Sequence, residues 1–106
     1  MRILFDRGTP VPLRKILTGH TVETAYELGW QALKNGELLA AAEVEGFDLL
    51  LTTDQNLRYQ QNPQSRKLAV IFLLSTSWPR IREQADTIRT VLDAAVPGAY
   101  HEIQIP

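Results

Sequence analysis

Asp6, Glu37 and Asp54 are the side chains whose type and placement could do chemistry in this chain. Asp6 directly follows the apolar run Ile3-Leu4-Phe5, and Asp54 follows Leu49-Leu50-Leu51 with two threonines between. Glu37 opens the alanine-rich stretch "GELLAAAEVEG". Two carboxylates about 4 Å apart repel by about 4 kcal/mol at an effective dielectric of 20, so acids gathered at one place either take up a proton or share a cation. A hard divalent ion such as Mg2+ or Mn2+ suits such oxygens, and is commonly held by one or two carboxylates together with substrate phosphate. The chemistry open to the three acids is therefore metal-assisted attack of water on a phosphodiester. Each also has a structural reading: Asp6 before Arg7-Gly8 starts a turn, Asp54 caps a short helix, and Glu37 is favoured in a first helical turn by the dipole.

Whether the acids meet depends on the elements that carry them. Residues 2–5, 49–52 and 68–74 are continuous apolar runs without in/out alternation, the pattern of strands covered on both faces of a parallel sheet. Helical patterns alternate with them: "VPLRKIL", with prolines in its first turn and Gly19 as a stop, and "GELLAAAEVEG", ended by Gly46. "HTVETA" reads as a further strand leading into "AYELG". "SWPRIREQADTIRTVLDAAV" predicts the longest helix, with Ser77 as its cap and Ile81, Ala85, Ile88 and Leu92 at helical spacing. After "PGA" the alternation of "YHEIQI" suits a half-exposed edge strand. The expected class is α/β, one domain over residues 1–106 with a mainly parallel central sheet. Such sheets bind ligands in the crevice beyond the carboxyl ends of their strands. Asp6 and Asp54 face one crevice if their strands are neighbours, and a helix returning antiparallel to the sheet starts on that side, which brings Glu37 in.

Composition narrows the partners. A chain of 106 residues fits a single compact core. Without cysteine there is no disulfide framework and no thiolate metal site, so a metal must use carboxylates or His20 and His101. A cytoplasmic protein is the expectation. The longest apolar run, "LAVIFLL", is far short of the ~20 residues of a membrane helix, so no membrane partner is expected. The net charge of −1 supplies no general field for nucleic acid, and phosphate contacts fall to local cations. Arg7, Lys34 and Arg58, each near one of the acids, are the candidates, with Tyr59 as a stacking platform and the Asn56 amide as a further oxygen ligand. His20 and His101 read as structural, and Trp30 and Trp78 as core or interface anchors. Neither "GxGxxG" nor "GxxxxGK" occurs, which argues against a nucleotide cofactor. A phosphoryl-accepting receiver domain would want an acid pair after the first strand and a lysine after a late one. Here a single acid follows the first strand, and Ser75-Thr76-Ser77 follow "LAVIFLL".

The segments "MRILFDRGTP", "GHTVETAYELGW", "LKNGELLAAAEVEGFDLLLTTDQNLRYQQN" and "PGAYHEIQIP" resemble the DUF5615 family of small PIN-like proteins over essentially the whole chain. In its order of helix-opening acid, alanine-rich helix, Gly, apolar strand and "T-x-D", the central block is similar to PIN-domain ribonucleases, VapC-type toxins included. The resemblance implies a three-layer α/β/α PIN-like domain and a Mg2+- or Mn2+-dependent endoribonuclease cutting RNA phosphodiester bonds. It also implies a toxin role beside a cognate antitoxin protein, and pairing into a homodimer. Asp6, Glu37 and Asp54 match the family's catalytic and metal-binding acids, and the usual acid on a middle helix falls to Glu27 in "AYELG", with Glu23 as second choice. Relatives read "DENLP" where this chain reads "DRGTP", without the adjoining acid and asparagine. A site with fewer negative ligands holds its ion more weakly, so the alternative is a catalytically inactive PIN-like module that binds RNA or protein.

Overall fold

The computed structural model of the chain describes residues 1–34, 36–55 and 67–106. In chain order these form β1 (Arg2–Phe5), a 3-10 helix (Val11–Lys15), β2 (Thr21–Thr24), α1 (Gly36–Glu45), β3 (Leu49–Thr52), β4 (Ala69–Leu73), α2 (Trp78–Glu83), α3 (Ala85–Ala94) and β5 (Tyr100–Ile103). The strands make one sheet in the order β2-β1-β3-β4-β5, and every neighbouring pair is parallel. The α/β expectation with a parallel sheet holds.

The unbroken apolar strands are explained by what covers them. Side chains alternate across a strand, so successive residues feed opposite faces. Ile3, Phe5, Leu49, Leu51 and Ile71 join one core with Leu13 and Leu17 around the 3-10 helix, Ile81 of α2, and Ile88 and Leu92 of α3. Leu4, Leu50, Val70 and Phe72 join a second core with Leu38, Leu39 and Ala42 of α1. Two cores back to back on one sheet make three layers. Trp30 closes the edge of the second core, its ring 6.1 Å from that of Phe47 in an edge-on contact.

Helix α1 stops where the chain requires glycine. Gly46 has φ 84°, its N–H bonds the Glu43 carbonyl at 3.2 Å, and the Phe47 N–H reaches the Ala42 carbonyl at 3.0 Å. This is the Schellman closure, and it leaves the Phe47 ring buried against the second core.

The structure departs from four of the expectations. The long helix from Ser77 is two helices, α2 and α3, separated by Gln84 at φ −101°, ψ 16°. Ser77 holds the N-cap position but donates and accepts no capping bond through its side chain. The first helical pattern is a 3-10 helix, entered from Pro10 and carrying a further proline in its first turn, too short to establish an α-helical ladder. "AYELG" forms turns rather than a helix, so β2 is followed by no middle helix among the described residues. β5 is the expected edge strand, with Tyr100, His101 and Glu102 exposed and Ile103 buried. No helix among the described residues is long and apolar enough to cross a membrane.

Candidate functional site

β1 leads to β2 on one side, and β3 later takes the other side of β1, with Ile3, Leu4 and Phe5 opposite Leu49, Leu50 and Leu51. The chain thus changes direction across the sheet between β1 and β3, and a crevice opens beyond the carboxyl ends of two strands that diverge at such a point. Asp6 leaves β1 there and Asp54 follows β3. The Asp6 N–H still bonds the Leu51 carbonyl at 3.4 Å, extending the ladder by one residue into the crevice.

Asp6 is only 7% exposed, and its carboxylate is held at both oxygens. Oδ1 accepts the Gly8 N–H at 3.2 Å and the Thr9 hydroxyl at 2.7 Å. Oδ2 accepts the Thr52 hydroxyl, and the same Thr52 oxygen accepts the Asp54 N–H at 3.0 Å. One threonine therefore joins the Asp6 carboxylate to the backbone of Asp54 across the strand gap. Burial pushes the Asp6 carboxyl above its ordinary range, the hydrogen bonds from Thr52, Thr9 and Gly8 oppose this, and the charge of Asp54 adds to the rise. Asp54 itself is exposed. The pair combines a desolvated carboxylate with a solvated one.

The sign of that rise has a thermodynamic consequence. A carboxyl whose folded-state pKa lies above its unfolded value favours the fold fully below the unfolded value, and this contribution is lost as pH rises through the folded one. As pH rises beyond the ordinary carboxylate range, holding the Asp6 charge out of water is a cost. Without divalent ions Asp6→Asn should therefore melt above the parent protein at neutral pH, each ~1 kcal/mol of relieved desolvation raising Tm by about 4–8 °C. Melting curves should converge as pH falls into the ordinary carboxylate range; an Asn variant that melts lower at neutral pH would contradict the assignment.

Gly8 lets the loop after Asp6 lie against the strand end of β3. A Cβ at this position would stand 2.6 Å from Thr53 Oγ1, closer than atoms tolerate, and 3.8 Å from Asp6 Oδ1. Thr53 is buried and β-branched, so its hydroxyl does not swing aside freely. Gly8→Ala is expected to destabilise by about 1–3 kcal/mol in denaturant titrations. Thr53→Ala in the same chain should remove a large part of that loss, since neighbours sharing a clash are not additive.

The remaining candidates are distributed as follows. Glu37 is exposed in the first turn of α1. Among the described residues no group of three or more His, Cys, Asp and Glu is placed to hold a metal ion, so Asp6, Glu37 and Asp54 are not gathered as one three-acid site. Glu27 has a structural occupation: its carboxylate accepts from the Arg14 guanidinium and, at 3.0 Å, from the Thr24 N–H, while its own N–H bonds Thr24 Oγ1 at 3.0 Å. The Arg14 hydrogen bond holds the Glu27 carboxyl below its ordinary range. Glu23 is paired with Arg2, Oε2 to Nε at 2.7 Å. Arg7 is exposed next to Asp6, and Lys34 is exposed just before α1. Asn56, Arg58 and Tyr59 lie outside the described residues.

No family model, curated protein or solved structure matches this chain.

Other features sit elsewhere. His20 joins the Met1 amine at 3.1 Å to Asp93 Oδ1 at 2.8 Å, beside the start of β1. A depression of about 460 Å³, lined by Met1, Phe47, Asp48, Ala69 and Val96 among others, lies at the amino ends of the strands, the edge opposite the acids. Thr9, Thr52, Gly8 and Thr53 are the site residues that the spacing of acids missed. The available signal was "LTTD", where polar β-branched residues end an apolar run, together with the glycine two positions after Asp6.

Proposed function

We propose that this chain is a Mg2+- or Mn2+-dependent endoribonuclease of the PIN-like kind, with Asp6 and Asp54 as its metal-binding and catalytic carboxylates. The observation that carries the reading is that desolvated Asp6 and exposed Asp54 stand beyond the carboxyl ends of neighbouring strands where the sheet changes direction, near enough for the Asp54 charge to raise the Asp6 carboxyl.

The donor set suits a small, hard cation. A carboxylate offers about four lone-pair sites, and the bonds from Gly8, Thr9 and Thr52 leave Asp6 one, on Oδ2. Asp54 adds a second, solvated carboxylate. Mg2+ is commonly bound by one or two carboxylates, with waters and substrate phosphate completing the shell. When bound, such an ion supplies charge stabilisation at the phosphate and a more acidic water. The protein's own part is to orient Asp6 through three fixed donors, to keep water from its inner side, and to offer Arg7 at the exposed rim, where a guanidinium matches phosphate oxygens. Glu37 stands outside this pair, and in this reading the substrate phosphate takes the position that a third acid would have filled. The resemblance further supports a cytoplasmic toxin role, with an antitoxin as protein partner and a second copy as its dimer mate.

A second reading is favoured by one observation: three hydrogen bonds already satisfy most of the Asp6 carboxylate within the protein. Under it the chain is a catalytically inactive module that binds RNA or protein. Incubating the purified protein with structured and single-stranded RNA, with Mg2+ or Mn2+ against a chelator, separates the two. Cleavage that needs the ion supports the nuclease, whereas binding without cleavage under every ion supports the module.

A further inference from the structure

We propose that Thr9 sets the ion selectivity of this site by restricting Asp6 to a single ligating oxygen. The inference rests on the two-carboxylate reading above and adds to it which cations the pair accepts. Oδ1 of Asp6 receives two donors, the Gly8 N–H at 3.2 Å and the Thr9 hydroxyl at 2.7 Å. Thr9 is 4% exposed, so water does not compete for its hydroxyl. Its oxygen also lies 2.9 Å from the Leu51 carbonyl oxygen, a second acceptor within reach of the same proton. A hydroxyl has one proton, and the charged carboxylate is both the nearer and the stronger acceptor. The Thr9 N–H bonds the Asp6 carbonyl at 3.2 Å, so the backbone holds the hydroxyl in place as well.

With both lone pairs of Oδ1 occupied, Asp6 has Oδ2 alone to offer. Ca2+ takes six to eight oxygens at longer distances and readily uses carboxylates through both oxygens, whereas Mg2+ needs near-octahedral geometry and is content with one oxygen from each of one or two carboxylates. A one-oxygen Asp6 therefore disfavours Ca2+ more than Mg2+ or Mn2+.

The test reads ion affinity rather than activity. Apparent Kd values for Mg2+, Mn2+ and Ca2+ are taken from the dependence of Tm on ion concentration, for the parent chain, Thr9→Val and Thr9→Ser. The parent should prefer Mg2+ and Mn2+ to Ca2+. Thr9→Val keeps the branched shape, removes the hydroxyl and leaves Oδ1 with the Gly8 N–H alone, and should shift the Ca2+ to Mg2+ affinity ratio toward Ca2+ by about tenfold. Thr9→Ser should restore the parent ratio. A general loss of stability lowers all melting curves together and leaves this ratio unmoved. Should Thr9→Val not melt cooperatively, Thr9→Ala removes the same hydroxyl and carries the same expected ratio. An unchanged ratio in the hydroxyl-free variant overturns the role of Thr9 while leaving the two-carboxylate site standing. A parent protein whose Tm ignores all three ions overturns both.

Discussion

Replacing Asp6 or Asp54 by asparagine is expected to reduce metal-dependent RNA cleavage by at least about a hundredfold, the loss typical when one preorganised electrostatic group is removed from a reacting centre. Asparagine keeps the shape of aspartate and an oxygen to accept the Gly8 and Thr9 donors, so the fold should survive. What disappears is the negative charge. Because both acids would serve one ion, the double variant should be scarcely worse than either single one, as groups acting as a unit are not additive. Glu37→Gln is the internal contrast: an exposed residue outside the pair should cost no more than about tenfold, or about 1.4 kcal/mol in the barrier. Initial rates on one RNA under saturating Mg2+ decide the matter, with circular dichroism as the check on folding. Equal losses at all three positions would restore Glu37 to the centre and contradict the two-acid account.

The second large effect concerns the platform beneath Asp6. Phe5 is fully buried in β1, paired in register with Thr24 of β2 on one side and Leu51 of β3 on the other. Its ring fills the core shared with the 3-10 helix, α2 and α3. Phe5→Ala should destabilise by about 3–5 kcal/mol, from lost transfer energy and the cavity left behind. That is a large share of the 5–15 kcal/mol typical of a domain, and Tm should fall by more than about 10 °C. Val44 on α1 supplies the comparison: it is 90% exposed, and Val44→Ala should stay within about 0.5 kcal/mol of the parent. Urea titrations of both variants test the pair of values. A Phe5 variant as stable as the Val44 variant would mean that β1 is not a buried interior strand between β2 and β3.

Much of the scaffold was legible because its signals are local and redundant. Runs such as Ile3-Leu4-Phe5 and Leu49-Leu50-Leu51 lack alternation only because helices cover both faces, and Gly46 ends α1 because a left-handed residue is needed there. The acids at the strand ends followed from the same logic, since parallel neighbours place their carboxyl ends together. What failed depended on information that periodicity does not carry. Ile81 and Ile88 keep helical spacing across Gln84, so the break between α2 and α3 is invisible in the pattern. Glu27 looked like a free acid, yet the Arg14 that neutralises it comes from the 3-10 helix before β2. Glu37 sits where a helix start was expected, but strand order alone does not determine how far a helix end stands from a crevice. The threonines around Asp6 escaped notice because a hydroxyl becomes informative only when its acceptor is known. Thr52 and Thr9 reach Asp6 from different strands and loops, and that convergence is tertiary.

The central claim is that Asp6 and Asp54 form a strained anionic pair that a divalent cation relieves. Thermal melting under Mg2+ titration, followed for the parent protein and for Asp6→Asn and Asp54→Asn, addresses it most directly. At about a hundred times Kd the ion should stabilise the parent by about 2.7 kcal/mol, roughly 10 °C or more in a domain of this size, while both variants stay flat across the titration. A parent melting temperature indifferent to Mg2+, or variants that rise in step with it, would contradict the account.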